Sequence, residues 1–127
     1  MTNRAIISTP NAPEAIGPYS QAVKVGNTVW LSGQIPLVPD TMELVAGDIQ
    51  EQARQVFSNL AAVAEAAGGS LSSAVKINIS LTDMADFAAV NEVMAEFLQP
   101  PFPARACVQV AGLPKGVAIE VEAILAV

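Results

Sequence analysis

The chain has 127 residues, 52% of them hydrophobic and only 14% charged, with six Lys and Arg against twelve Asp and Glu for a net charge of -6. That length suits one domain, expected over 1–127, with a core that needs no staples, and the acidic balance argues against a nucleic-acid partner, whose phosphates require a basic footprint. With no histidine and a single cysteine, the commonest general base, an intramolecular disulfide and a cysteine-based zinc site are excluded, so chemistry falls to carboxylates, Arg, Lys, Tyr, Cys, hydroxyls, backbone or water.

The apolar surplus is more than a small monomer hides easily, so self-association is expected. Residues 1–11 lack the long apolar segment of a signal peptide, and no run reaches membrane-spanning length. No membrane partner is expected, and the cytoplasm is the expected compartment.

Residues 4–8 form a short apolar run that predicts a first strand. The next thirteen, TPNAPEAIGPYSQ, hold three prolines and a glycine and predict a loop. Within it, Gly17-Pro18 fixes the backbone and presents Tyr19, either as an aromatic plug at the core edge or as a hydroxyl for a site. Ala22 to Val25 and Thr28 to Ser32 flank Gly26-Asn27, which predicts a hairpin with a type II′ turn. Ser32-Gly33 at the end of that hairpin reads equally as a bulge or as a place where backbone approaches a ligand. The segment to Gly47 is expected to be irregular.

Asp48, with Glu51 three residues on, opens a predicted helix whose apolar stripe runs Ile49, Ala53, Val56, Phe57, Leu60, Val63, Ala64, Ala67 and stops at Gly68-Gly69. Ala74 to Leu81 alternates strictly, with Val75, Ile77, Ile79 and Leu81 on one face, and predicts a strand with one polar side. Thr82 or Asp83 is expected to cap a second helix to about Leu98. Its stripe of Phe87, Val90, Asn91, Met94, Phe97 and Leu98 includes a polar residue that needs a partner, in a neighbouring loop or in a ligand.

The stretch 102–122, FPARACVQVAGLPKGVAIEVE, reads as two period-two runs, 105–110 and 117–125, joined by a Gly112 to Gly116 turn. That pattern predicts an antiparallel hairpin with Cys107 opposite Glu120 and Arg105 opposite Glu122. It would gather a guanidinium, a thiol and two carboxylates on one surface. The same residues also allow a plain cross-strand ion pair, a buried apolar cysteine and solvated glutamates. The order β-ββ-α-β-α-ββ predicts an α+β fold with both helices on one sheet face and the other face in need of cover, most simply by a second copy.

GPYSQAV at 17–23, LSGQIP at 31–36, EQARQV within the first helix, LTDM followed by FAAVNEV, and above all FPARACVQVAGLPKGVAIEVEAI resemble the RidA (YjgF) family of reactive-intermediate enamine/imine deaminases. The resemblance covers nearly the whole chain. It implies a chorismate-mutase-like α+β protomer with a mixed six-stranded sheet, assembled as a homotrimer with sites in the clefts between subunits. It further implies that Arg105 binds a substrate carboxylate, that Glu120 orients water, that Tyr19, Ser32, Asn91 and Cys107 line the cleft, and that Gly33 gives backbone access. The implied reaction is cofactor-free hydrolysis of 2-imino acids such as 2-iminopropanoate, the tautomer of 2-aminoacrylate, and 2-iminobutanoate. A non-catalytic trimer that binds small carboxylates in the same cleft is the second expectation. The chain departs from the family's usual pattern in a short Gln99-Pro100-Pro101 linker and in a turn, Asp40 to Glu43, that lacks the glycine often found there.

Overall fold

The strand expected at Ala74 to Leu81 becomes the second-from-edge member of a six-stranded mixed sheet with two helices packed on one face. The computed structural model describes residues 3–127; Met1 and Thr2, at the start of the expected domain, lie outside it. The strands are β1 (Arg4–Ile7), β2 (Ala22–Val25), β3 (Thr28–Gln34), β4 (Ala74–Leu81), β5 (Ala104–Gln109) and β6 (Ile119–Ala126), and the helices are α1 (Ile49–Ala66) and α2 (Phe87–Phe97). Across the sheet the order is β1-β2-β3-β6-β4-β5.

Local signals set the first half of the fold as expected. The two-residue turn between Val25 and Thr28 has a left-handed residue at Gly26 alone, with φ 59°, as a type II′ turn requires. Asp48 caps α1 by accepting the Glu51 N–H at 2.9 Å. The helix ends where Gly68 takes φ 92° and Gly69 N–H reaches back to the Ala64 carbonyl at 3.0 Å. Between these caps Ala53, Val56, Phe57, Leu60, Val63 and Ala64 are buried against the sheet. The turn that lacks a glycine is closed by Met42 itself in a left-handed conformation, φ 59°.

The C-terminal expectation is corrected. Residues 105–110 and 117–125 do not form an antiparallel hairpin, because β4 lies between β5 and β6. The chain leaves β4, crosses the sheet through α2 and returns in β5 parallel to β4, as a β-α-β connection between neighbouring strands does. β6 then fills the gap between β3 and β4, antiparallel to both. Arg105 and Cys107 therefore align with Ile77 and Ile79 of β4, while Glu120 and Glu122 align with Ser80 and Asn78.

Those registers separate the two faces of the sheet. Ile77, Ile79, Leu81, Ile119, Val121, Ala123 and Leu125 are buried in the helix-side core. A row of Ile6, Val23, Trp30, Ile124, Lys76 and Ala104 crosses the open face, and Ile6 and Trp30 on it are 56% and 47% exposed. Val75, expected on the core face, is exposed, because a bulge between Ala74 and Lys76 breaks the alternation there.

Sequence periodicity did not mark Asn59 as special, although it is only 1% exposed on the core side of α1. Its amide donates to the Leu37 carbonyl at 2.9 Å, and its carbonyl accepts from Gln55 at 2.8 Å, so it ties the loop after β3 to the helix. Asn59→Ala leaves a buried carbonyl unpaired and is expected to cost about 1–3 kcal/mol. Urea denaturation with an unchanged slope would check this, and a loss well below that range would show that the tether is dispensable.

Candidate functional site

The residues named from the sequence fall into two clusters on opposite faces of the sheet. The first is at edge strand β5. Arg105 shares a face with Ile77 and reaches the start of α2, where its guanidinium carbon lies 5.0 Å from the centre of the Phe87 ring. Its Nη1 donates to Asn91 Oδ1. Phe87 and Asn91 are four residues apart and so share one face of the helix. Asn91, placed by its spacing in the core stripe of α2, is exposed at the rim, and its partner is Arg105 rather than a loop.

No carboxylate pairs with Arg105 among the described residues; the ion pair found there joins Arg54 to Glu96, between the helices. The guanidinium is thus held by an aromatic face and a neutral amide, with its charge uncancelled and most of its donors unused. Beside it Asn91, Met94, Leu98 and Phe102 line a cavity of about 370 Å³. A planar cation at the mouth of a largely apolar pocket suits a small molecule that carries a carboxylate. Cys107 lies on the same strand and face, half-buried against the core. Burial pushes its thiol above the ordinary value, with Arg105 working the other way, so the sulfur is a protonated packing group at neutral pH.

The second cluster is built on the bulge in β3 between Leu31 and Gln34. Gly33 there is not in a left-handed conformation, so the backbone does not demand glycine. The demand is steric: a β-carbon at 33 would lie 2.8 Å from the Glu120 carboxyl carbon. The bare backbone lets the Glu120 side chain lie across the bulge, in a cavity of about 360 Å³ shared with Tyr19, Ser32, Gly33 and Lys115. Ser32 Oγ donates to the Ser20 carbonyl at 2.5 Å, so this hydroxyl braces the loop that carries Tyr19.

Sequence reasoning passed over two contributors here. Gln21 is buried and works with both ends of its amide, accepting from the Thr9 N–H at 2.7 Å and donating to the Pro13 carbonyl at 2.8 Å, which closes the proline-rich loop that carries Tyr19. A single glutamine between a loop and a strand carries no periodic signal. Lys115, treated as a turn residue, joins the cavity because it and Gly116 adopt left-handed backbones. Among the described residues no group of three or more His, Cys, Asp or Glu converges as metal ligands.

The expected single surface of Arg105, Cys107, Glu120 and Glu122 is therefore corrected, since the sheet stands between the first pair and the second. Glu120 is half-buried, and its carboxyl is raised above the ordinary value, first by burial and then by the charge of Glu122. Glu122 itself accepts from the Asn78 amide at 3.3 Å.

Residues 9–127 match the sequence model of the family described as Endoribonuclease L-PSP. A 2-iminobutanoate/2-iminopropanoate deaminase of Dermatophagoides farinae is 54% identical over 127 residues, covering 100% of this chain and 99% of that protein. RidA from an Antarctic Psychrobacter has the same fold, with a TM-score of 0.94 and 58% identity over 97% of this chain and 99% of that one. The chain belongs to the RidA family. Escherichia coli TdcF, solved with bound serine, is a further structural relative at 48% identity and a TM-score of 0.93, covering 97% of this chain and 98% of its own. The human 2-iminobutanoate/2-iminopropanoate deaminase is 47% identical over 95% of this chain and 88% of its own length.

The raised carboxyl of Glu120 has a sign that can be tested. Between its unfolded value and its higher folded value, the folded RidA chain keeps a proton that the unfolded chain has released, so this group's contribution to stability falls as pH rises through that window. Glu120→Gln removes the effect. Urea denaturation should find the variant more stable than wild type at neutral pH, with the gap closing in mild acid; a variant destabilised equally at all pH values would contradict the assignment.

Proposed function

We propose that this RidA protein hydrolyses short 2-imino acids, 2-iminopropanoate and 2-iminobutanoate among them, to 2-oxo acids and ammonia. The observation that carries the reading is Arg105, an uncancelled guanidinium held by neutral neighbours beside a small pocket. The names of the mite and human relatives support the choice of substrate.

In this reading the substrate carboxylate docks on the free edge of Arg105, and a water molecule is oriented by Glu120. Water oxygen attacks the iminium carbon, the C=N π pair moves to nitrogen, and the water's proton passes to Glu120. The resulting carbinolamine takes that proton on nitrogen, the C–N bond breaks as the hydroxyl passes its own proton to the freed Glu120 carboxylate and becomes a carbonyl, and ammonia leaves. A carboxyl raised above its usual value is a stronger proton acceptor than an exposed one and returns the proton more easily than a stronger base would. Such imines already hydrolyse in water, so positioning and a favourable field around one water molecule are sufficient sources of rate.

Arg105 and Glu120 face opposite sides of their own sheet, so the site needs a second copy. The proposed assembly is a homotrimer in which the Arg105 edge of one chain meets the Glu120 cavity of the next, repeated head to tail around a ring. The exposed row with Ile6 and Trp30 gives the sheet a face for such contact. Cytoplasmic residence belongs to the same reading; no helix of the described residues is long and apolar enough to cross a membrane. The endoribonuclease of the family's description finds no matching chemistry, because the chain carries a charge of -6 and has no histidine. Carboxylate binding without turnover is a second reading, favoured by the serine bound to TdcF.

Coupling the protein to a threonine dehydratase, with semicarbazide as a competing trap, measures the reaction. Wild type should accelerate 2-oxobutanoate formation, while Arg105→Ala should lose on the order of 100-fold in kcat/KM and Arg105→Lys recover little of it, since Lys offers no planar fork. An Arg105→Ala variant as fast as wild type would refute the deaminase reading, and ligand binding with no turnover would favour the second. The shared site has its own check. Mixed assemblies of Arg105→Ala and Glu120→Gln chains, each inactive alone, should regain about a quarter of the intact sites by random pairing around a closed ring. No recovery on mixing, or a wild-type protein that sediments as a monomer while fully active, would place the site in one chain.

A further inference from the structure

We infer that Phe87 is a positioning residue for the substrate carboxylate: its ring face holds the Arg105 guanidinium in place without cancelling its charge. The inference rests on the reading of Arg105 as the carboxylate binder and assigns to Phe87 a function distinct from core packing.

An arginine on an edge strand is free to sample many rotamers, and each must be given up when a ligand is bound. A carboxylate neighbour would restrain the side chain but would also occupy its donors and neutralise it. Neither neighbour of Arg105 does so. Asn91 Oδ1 takes one N–H at Nη1, and the guanidinium carbon lies over the Phe87 ring, 5.0 Å from its centre. The negative face of an aromatic ring attracts a cation without supplying a countercharge. Guanidinium on ring also excludes water from one side, which strengthens the remaining bonds to an anion.

The ring is itself held firmly. Phe87 is the first residue of α2 and packs half-buried against the core. The turn before it is fixed at two points: Asp83 accepts the Ala85 N–H at 2.9 Å, and Gln109 accepts the Met84 N–H at 2.8 Å. Gln109 lies on β5, four residues beyond Arg105 and on the same face. The strand that carries the cation therefore also anchors the helix end that carries its support. An aliphatic residue at 87 would fill the same space in the core but offer no such face.

Calorimetric titration with 2-oxobutanoate, the stable product, tests this alongside the coupled assay. Phe87→Leu is expected to weaken 2-oxobutanoate binding and raise KM by roughly 2- to 10-fold with kcat little changed, while Phe87→Tyr stays near wild type. Site-specific incorporation of mono-, di- and trifluorinated phenylalanine at 87 keeps the shape and drains the ring face, and affinity should fall step by step with fluorine count. Those three variants decide the matter even if Phe87→Leu fails to fold. Affinity that is flat across the fluorinated series, or a Phe87→Leu protein that binds like wild type while Arg105→Ala does not, would overturn the role of Phe87 and leave the deaminase reading intact. Loss of effect in Arg105→Ala itself would instead remove the reading on which it stands.

Discussion

Strand β4 is hydrogen-bonded along both edges, parallel to β5 and antiparallel to β6, and the geometry of the site depends on that double pairing. Side chains alternate along every strand, so the register against β4 decides which face each one occupies. Ile77 draws Arg105 to the helix side, and Ser80 takes Glu120 to the open side. A slip of one residue on either edge would bury a charge in the core or strand it in the wrong cavity. The buried row Ile77, Ile79 and Leu81 opposes both slips at once.

Much of this was legible in the sequence where the signal is local. Helix α1, its Asp48 cap and its Gly68 stop, the Gly26-Asn27 turn and the alternation of β4 from Ile77 on each depend on residues near one another in the chain, and the structure places them as read. Strand partnership is not local. The run after Arg105 and the run before Leu125 look like a hairpin because a turn-like segment joins them, yet the helix that precedes β5 carries the stronger topological information. A strand, a helix and a second strand in succession return the chain parallel, which leaves the slot beside β4 for the last strand.

The candidate site divides along the same line. Arg105, Glu120, Tyr19 and Ser32 stand out by chemistry and by motif, whereas their division between two faces follows only from the pairing. Bulges at Val75 and at Ser32-Gly33 each shift a register by one residue; the second is one of the two readings that a Ser-Gly pair offers, whereas no period reveals the first. Asn91 sat in an apolar stripe and proved to be at its rim. Elsewhere the polar interior is fully employed: no buried side-chain nitrogen or oxygen among the described residues lacks a partner. A half-buried carboxyl raised by desolvation, as at Glu120, is the kind of group that gathers where ligands bind.

The fit of Glu120 over the β3 bulge also fixes what heredity can do at one position. Gly33 does not take the left-handed backbone that favours glycine, so the objection to a side chain there comes from a neighbour and not from the strand's own torsions. Yet every other amino acid brings at least a β-carbon, and that atom claims the space of the Glu120 carboxyl. Any side chain at 33 is therefore felt first at residue 120, far away in the chain, whose carboxyl has to move. Gly112, with open space around its own β-position, has no such reach, and the two glycines differ in nothing that a composition count would notice.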